Sequence, residues 1–420
     1  MERMSFALAD APRRADYRVI GWLLLPTVAM QMVFMGLLQV LLPSHIAAID
    51  ALHKVENLGL VTGIGALVAT LANPAAGAWS DRTRSRWGRR TPWLLGTALA
   101  ACAALALMGL ANSIAWLAVG FCLVQGVMNA NQAVITAVMP ERVGVARRGL
   151  ASSVVGMGFP LGIVCGAALA SHLLARPMDA YLALGALLLA ATVLFVAFNR
   201  DRGALPPPRP GRTGKLAPRA ALAGFFAALS AHDFRWTFIS RFFCVLTYCL
   251  PASFFLYMLQ DHVALAPGQA PAQVLVFVST VQMGCMAAAT LVGGPLSDYC
   301  GGRRRIFVVC AALGMAASLV FPLAMPTYAG MLLFAIANGI SFGVYLAVDT
   351  ALVTQVLPNQ DNVARDMGIL NIANAGPQII APFIGAQLVT YVGGYPALLT
   401  GAIVSALLAA GTVLYVRTVR

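Results

Sequence analysis

Charge is what this chain has least of. Only 10% of its 420 residues are charged, fifteen are acidic and five are histidine. So little polar surface cannot cover a water-soluble globule of this size, which excludes a soluble fold and makes lipid the main solvent. No HExxH string and no pair of carboxylates occurs within the apolar runs, and the histidines show no ligand spacing. Metal-assisted hydrolysis therefore has no support, an enzyme is not expected, and neither is a cofactor or a metal. The eight cysteines, at 102, 122, 165, 244, 249, 285, 300 and 310, are scattered without a CxxC pair. They read as gap-filling thiols rather than as a disulfide frame. The first apolar run is longer than a signal h-region and lacks a small-residue cleavage site, so it is expected to be an uncleaved first helix.

What is present is apolar and long. Hydrophobic residues make up 60% of the chain, and the mean hydropathy is +0.81. Stretches of roughly 20 residues, enough to cross a hydrocarbon core of about 30 Å, recur at 19–42, 57–80, 92–111, 114–139, 149–175, 179–198, 236–259, 272–297, 306–325, 328–357, 366–391 and 394–416. Their continuous apolarity predicts helices, since barrel strands would be about 10 residues long and alternating. The net charge of +13 is not a nucleic-acid footprint, because it is sided: starting inside and alternating, one face collects 26 of the 28 Lys and Arg, Arg241 among them, and the other keeps Lys54 and Arg176. This is the positive-inside pattern, and it places both termini in the cytoplasm of a plasma (cytoplasmic) membrane protein.

The chain repeats itself. Gly77-Ala-Trp-Ser80-Asp81, with an arginine run ending Gly88-Arg89-Arg90, returns as Gly294-Pro-Leu-Ser297-Asp298 with Gly301-Gly302-Arg303-Arg304-Arg305. Thr136-Ala-Val-Met-Pro140 and Val145-Ala146-Arg147 return as Thr354-Gln-Val-Leu-Pro358 and Val363-Ala364-Arg365; these pairs and the Gly-x-x-Ser-Asp pair are offset by 217 or 218 positions. The longest polar stretch, 199–233, carries Pro206-Pro207-Pro208 among basic residues and separates the copies. These features predict an all-α membrane protein of twelve helices in two pseudo-symmetric six-helix bundles, 1–198 and 234–420, joined by a cytoplasmic linker at 199–233.

The duplicated Gly-x-x-Ser-Asp loop followed by Gly-Arg-Arg, between the second and third spans and again between the eighth and ninth, resembles the signature loop of the major facilitator superfamily. The longer first copy is similar to the branch that holds glycoside, pentoside and hexuronide symporters and sucrose transporters. The resemblance covers the whole chain and implies secondary active transport by alternating access. It also implies a gating set: Gly77, Asp81, Gly88, Arg89, Arg90, Arg147, Gly294, Asp298, Gly301, Arg303, Arg304 and Arg365. Asp81 would latch onto the start of the eleventh span, and Asp298 onto the start of the fifth, while the cytoplasmic side is shut.

Of the acids, only Asp349 falls well inside a span, eight residues before Leu357 and so roughly 12 Å from that helix end. An intramembrane carboxylate is costly unless paired or hydrated, which makes Asp349 the coupling candidate, with protons as the ion. A structural salt bridge to Arg303–Arg305 and direct contact with the substrate are the alternatives. The repeat places Asn131 at the equivalent position of the first half. Amides and phenols recur at helical spacing, and the resemblance assigns spans one, four, seven and ten to the pathway. Gln31, Gln125, Asn129, Tyr248, Asn338 and Tyr345 are thus the candidate lining, with interhelical hydrogen bonding as the competing role; the amides of the eleventh span read as packing. Such a lining suits a small neutral polar solute such as a sugar, and would also pass an amphipathic drug or metabolite outward. A non-transporting membrane sensor is the remote alternative. The expected partners are a small-molecule substrate, the bilayer and protons, with no nucleic acid and no required oligomer. Glycines at 158, 162 and 166, and at 59 and 63, make smooth faces for static packing or for sliding between the halves.

Overall fold

The protein is described from a computed structural model, which covers residues 14–83, 85, 87–143, 148–199, 229–299, 304–356 and 363–416. Expectations for the 199–233 linker, apart from its two ends, and for Arg147, Gly301 and Arg303 lie outside these residues.

The described residues form helices, with one isolated bridge between Ala264 and Thr327. In chain order they are α1 (Arg14–Gly36), continued by a π-helical turn (Leu37–Leu41) and α2 (Leu42–Ile49); α3 (Lys54–Arg82); α4 (Thr91–Gly109); α5 (Ile114–Arg142); α6 (Arg148–His172); α7 (Pro177–Phe198); α8 (His232–Ser253) with α9 (Phe255–Asp261); α10 (Pro271–Tyr299); α11 (Arg304–Ala324); α12 (Tyr328–Val356); α13 (Val363–Gln387) with a second π turn (Leu388–Gly393); and α14 (Gly394–Val413). Nine described helices are long and apolar enough to cross a membrane, and ten if α8 and α9, bent by 48° at Phe254, are one span. That bend follows Pro251, whose missing N–H and ring interrupt the helical ladder. The last of the nine, Ile372–Val413, runs 42 residues. At 1.5 Å per residue a straight helix of that length would reach about 63 Å, twice a hydrocarbon core. It is broken at Gly394, where φ is +70° and ψ −156°, a conformation only glycine adopts without strain.

Two compact units divide the chain: Met1–Leu52 with Ile64–Pro207, and His53–Gly63 with Pro208–Arg420. Each has the same internal pattern. In the first unit α1 packs along α6 and α7, and α4 along α5 and α7; in the second α8 packs along α13 and α14, and α11 along α12 and α14. A ring stack recurs as well, Trp22 on Phe198 (centroids 4.5 Å apart) and Trp236 on Tyr415 (4.6 Å). So does an arginine tie to a helix end: Arg142 donates to the Asn199 carbonyl at 2.7 Å, and Arg305 to the Val416 carbonyl at 2.9 Å and to that of Leu414. Large apolar side chains such as Leu71, Leu99, Val119 and Leu291 are exposed, as lipid contact requires.

The glycine stripe has a definite partner. Gly158, Gly162 and Gly166 of α6 lie against Thr27, Gln31 and Met32 of α1, so closely that a Cβ at any of them would overlap its neighbour. Both helices belong to the first unit. The stripe is therefore internal packing and not a sliding face between halves. Gly59 and Gly63 of α3 approach Pro382, Ala386 and Phe383 of α13 in the second unit in the same manner.

Candidate functional site

Asp349 is held in the second unit by three helices. Tyr345 and Asp349 are one helical turn apart on α12 and share a face, and the Tyr345 hydroxyl donates to Asp349 Oδ1 at 3.0 Å. From α8, Arg241 Nη2 lies 3.4 Å from Asp349 Oδ2. From α13, Asn374 Oδ1 accepts from Arg241 Nε at 2.9 Å. Arg241 is nine residues into α8, about 13 Å along its axis, close to the depth of Asp349 in α12. Two turns further along α8, Tyr248 stacks on Phe342 of α12, with centroids 4.4 Å apart and planes at 9°. Phe342 in turn stacks on Tyr345 at 5.7 Å. The facing sides of α8 and α12 thus carry an ion pair and then a column of rings.

The expected salt bridge from Asp349 to Arg303–Arg305 is replaced by one to Arg241, a residue counted with the inside charges. Arg305 turns to the carbonyls after α14. Arg241 lies within the predicted span 236–259, and an arginine at that position is an intramembrane charge by default, which is the signal that would have found it. Asn374, read as a packing amide, belongs to the cluster.

The other candidate lining residues have local partners. Asn338 is 1% exposed; it accepts from Gln282 Nε2 at 2.9 Å and donates to Ser318 Oγ at 3.1 Å, which ties α10, α11 and α12 together. That is interhelical packing, the competing role. Gln31 abuts Gly162, Gln125 is buried, and Asn129 donates to the Gln125 carbonyl at 2.9 Å; all three belong to the first unit. Asn131, the counterpart of Asp349, donates to Thr97 Oγ1 at 2.7 Å. Gly339-Ile340-Ser341-Phe342-Gly343 spells the G-x-S-x-G of hydrolases, but it lies within α12, and Ser341 Oγ donates to the Ala337 carbonyl at 2.8 Å. A nucleophile elbow needs a strand-to-helix turn, which this is not.

A second buried arginine stands at the end of the first repeated loop. Arg90, 3% exposed, donates Nε to Glu141 Oε2 at 3.0 Å, Nη2 to Glu141 Oε1 and Nη1 to Ser80 Oγ. Arg89 Nη1 stands 3.7 Å from the same carboxylate. Glu141 directly follows the repeated Pro140. These bonds join the loop to α5 within the first unit. Gly88 takes φ of +90° and lets the loop turn. Gly77 has open space around it, and Arg304 begins α11. The side chains of Asp81, Gly294, Asp298 and Arg365 are outside what the structure describes.

The arrangement can bind and release a polar solute, and it has no nucleophile–base pair. The chain matches the family model for the Major Facilitator Superfamily over residues 24–278 and 241–420. Similar solved structures include a bacterial homolog of the human lysosomal transporter Spinster in an inward-facing, unoccupied conformation (TM-score 0.68, 14% identity, 97% of this chain and 95% of that one). The peptide transporter POT (0.75, 12%, 93% of each chain) and the nucleoside transporter NupG (0.72, 13%, 94% and 99%) are also similar. An uncharacterized symporter, sll1374 from Synechocystis sp. (strain ATCC 27184 / PCC 6803 / Kazusa), is 55% identical over 38 residues, a stretch spanning 9% of this chain and 7% of that protein. With both family matches together spanning nearly all of its length, the chain belongs to the Major Facilitator Superfamily.

Proposed function

We propose that this protein is a secondary active transporter that moves a small polar solute across the cytoplasmic membrane by alternating access, in symport with protons. The observation that carries the reading is the Arg241–Asp349 pair, set at mid-helix beside the Tyr248–Phe342–Tyr345 column in a chain of this family. Charges at such depth are retained for function, since burying them costs several kcal/mol per ion. Aromatic faces suit the body of a ring-shaped solute, and the guanidinium, carboxylate and Asn374 amide suit its hydroxyls, which keeps a sugar-like cargo in view. Arg241 beside the ring column adds a charge to the lining in this reading, so the cargo is polar without being restricted to neutral solutes. Symport is supported by the short similarity to the Synechocystis symporter.

The twelve-span reading adds three spans to the nine: the bent pair α8–α9, the helix α6, and the division of Ile372–Val413 at Gly394. Six then precede residue 199 and six follow, with both termini in the cytoplasm. Asp349 is the proton site in this reading, and Arg241 and Cys244 of α8 and Tyr345 of α12 are the charged or titratable groups that face it. Uptake into proteoliposomes under an imposed pH gradient is the test. Accumulation that collapses with the gradient and is lost in Asp349→Asn supports the reading; full gradient-driven accumulation in Asp349→Asn removes that residue from coupling.

A further inference from the structure

We infer that Arg241 reads a carboxylate on the cargo, so that the transported solute is a small monoanionic organic acid; this rests on the transporter reading above and narrows its substrate class. The Arg241–Asp349 pair is lopsided. Asp349 has both oxygens addressed, Oδ1 by Tyr345 at 3.0 Å and Oδ2 by Arg241 at 3.4 Å. Arg241 is only partly used: Nε is bound to Asn374, Nη2 makes the one long contact to Asp349, and Nη1 makes no hydrogen bond among the described residues. A charge-assisted N–H to carboxylate bond is normally about 2.7–2.9 Å and often two-pronged, and this contact is neither. Side-chain exposure follows the same order, 15% for Arg241 against 7% for Asp349. The cation is the open face of the pair and the acid is its backing.

Arg90 shows what a closed pair looks like in the same protein. All three of its nitrogens are engaged, two of them on the two oxygens of Glu141. A guanidinium presents five N–H groups in a planar fork that matches a carboxylate, and in Arg241 the Nη1/Nη2 edge is the part left over. The hydroxyls of a neutral solute would meet that edge with single, uncharged acceptors, whereas a carboxylate meets it with paired charge-assisted bonds about twice as strong. Charge balance sets the number of negative charges. Asp349 already contributes one, so a monoanion leaves the cluster at net −1, whereas a phosphate dianion would leave it at −2 in a medium that screens weakly. The ring column begins at Tyr248, about 10 Å along α8 from Arg241, and offers an apolar wall to the rest of the molecule.

The test is thermal unfolding of the purified full-length protein, titrated with matched pairs: benzoate against benzamide, glucuronate against glucuronamide, and phenyl phosphate as the dianion. Stabilisation by the acids, with the amides at least tenfold weaker, supports the inference, because a bound ligand raises stability by mass action. In Arg241→Gln the preference for acid over amide should vanish, and in Arg241→Lys, which keeps the charge and loses the fork, it should fall severalfold. Should Arg241→Gln not fold, Asp349→Asn decides the matter: deleting the competing carboxylate should tighten the acids severalfold and leave the amides unchanged. Equal or better binding of the amides, a stronger effect of phenyl phosphate than of the carboxylates, an acid preference that survives Arg241→Gln, or no shift with any probe would each overturn the inference. Proteoliposome uptake separates the two readings. Uptake of neutral sugars with no acid preference defeats the carboxylate alone, and acid binding without any uptake defeats the transporter.

Discussion

Each unit sets one arginine against one acid with one member of the pair buried, Arg90 in the first and Asp349 in the second, and the two pairs are built to opposite ends. Arg90 is 3% exposed, bidentate on Glu141 and capped by Ser80, and it sits where a repeated loop meets the end of α5. Arg241 makes a single 3.4 Å contact with Asp349, leans on Asn374 and retains free donors at mid-helix. The first geometry puts all three guanidinium nitrogens to holding the loop against α5. The second leaves donors for something that comes and goes. The lesson is that burial of an ion pair does not by itself distinguish a brace from a site; the count of unspent hydrogen bonds does.

The comparison breaks or sharpens under mutation. Arg90→Ala takes two charge-assisted bonds from Glu141, which keeps Arg89 at 3.7 Å, and one from Ser80, and the expected loss is about 3 kcal/mol, read as a fall in unfolding temperature and in the yield of monodisperse protein. Arg241→Ala should cost less, about 1–3 kcal/mol, because its pair is already loose; if it costs as much as Arg90→Ala, the distinction between the two fails. Tyr345→Phe removes one hydrogen bond from Asp349, a loss of about 0.5–1.5 kcal/mol, and should alter transport more than stability. The smallest effect belongs to Lys54→Gln at the start of α3. Lys54 Nζ meets Asp261 Oδ1 at 2.7 Å with 19% and 34% of the two side chains exposed, and the Tyr395 hydroxyl donates to Oδ2 of the same acid at 2.8 Å. Its loss should be about 0.2–1 kcal/mol and should shrink further in high salt, which screens a surface pair and leaves the buried ones intact.

How much of this could be read from the chain depends on what each residue leaves in one dimension. The 217-residue echo and the apolar runs foretold helices and an internal repeat, and the repeat reappears as matched helix contacts and matched ring stacks. Asp349 was legible because acids are so rare here that one inside a span stands out. Arg241 was passed over because it was counted with the inside charges as a topology signal, although it stands five residues inside the predicted span 236–259. Asn338 and Asn374 look alike as letters. Only the rotation of their helices makes one a staple among α10, α11 and α12 and the other a partner of Arg241. Arg90 was singled out for the right location and an incomplete reason, since its partner Glu141 follows a motif that was noticed for its proline.

The break at Gly394 has a consequence for how the polypeptide is threaded. The 42-residue run Ile372–Val413 contains no charged residue to mark where the chain reverses direction. The reversal depends instead on a backbone angle, φ of +70° with ψ of −156°, that is closed to a residue with a β-carbon. One hydrogen atom in place of a side chain therefore decides whether α14 folds back beside α8 and α11 or continues outward. The compartment in which the carboxyl terminus emerges hangs on that choice.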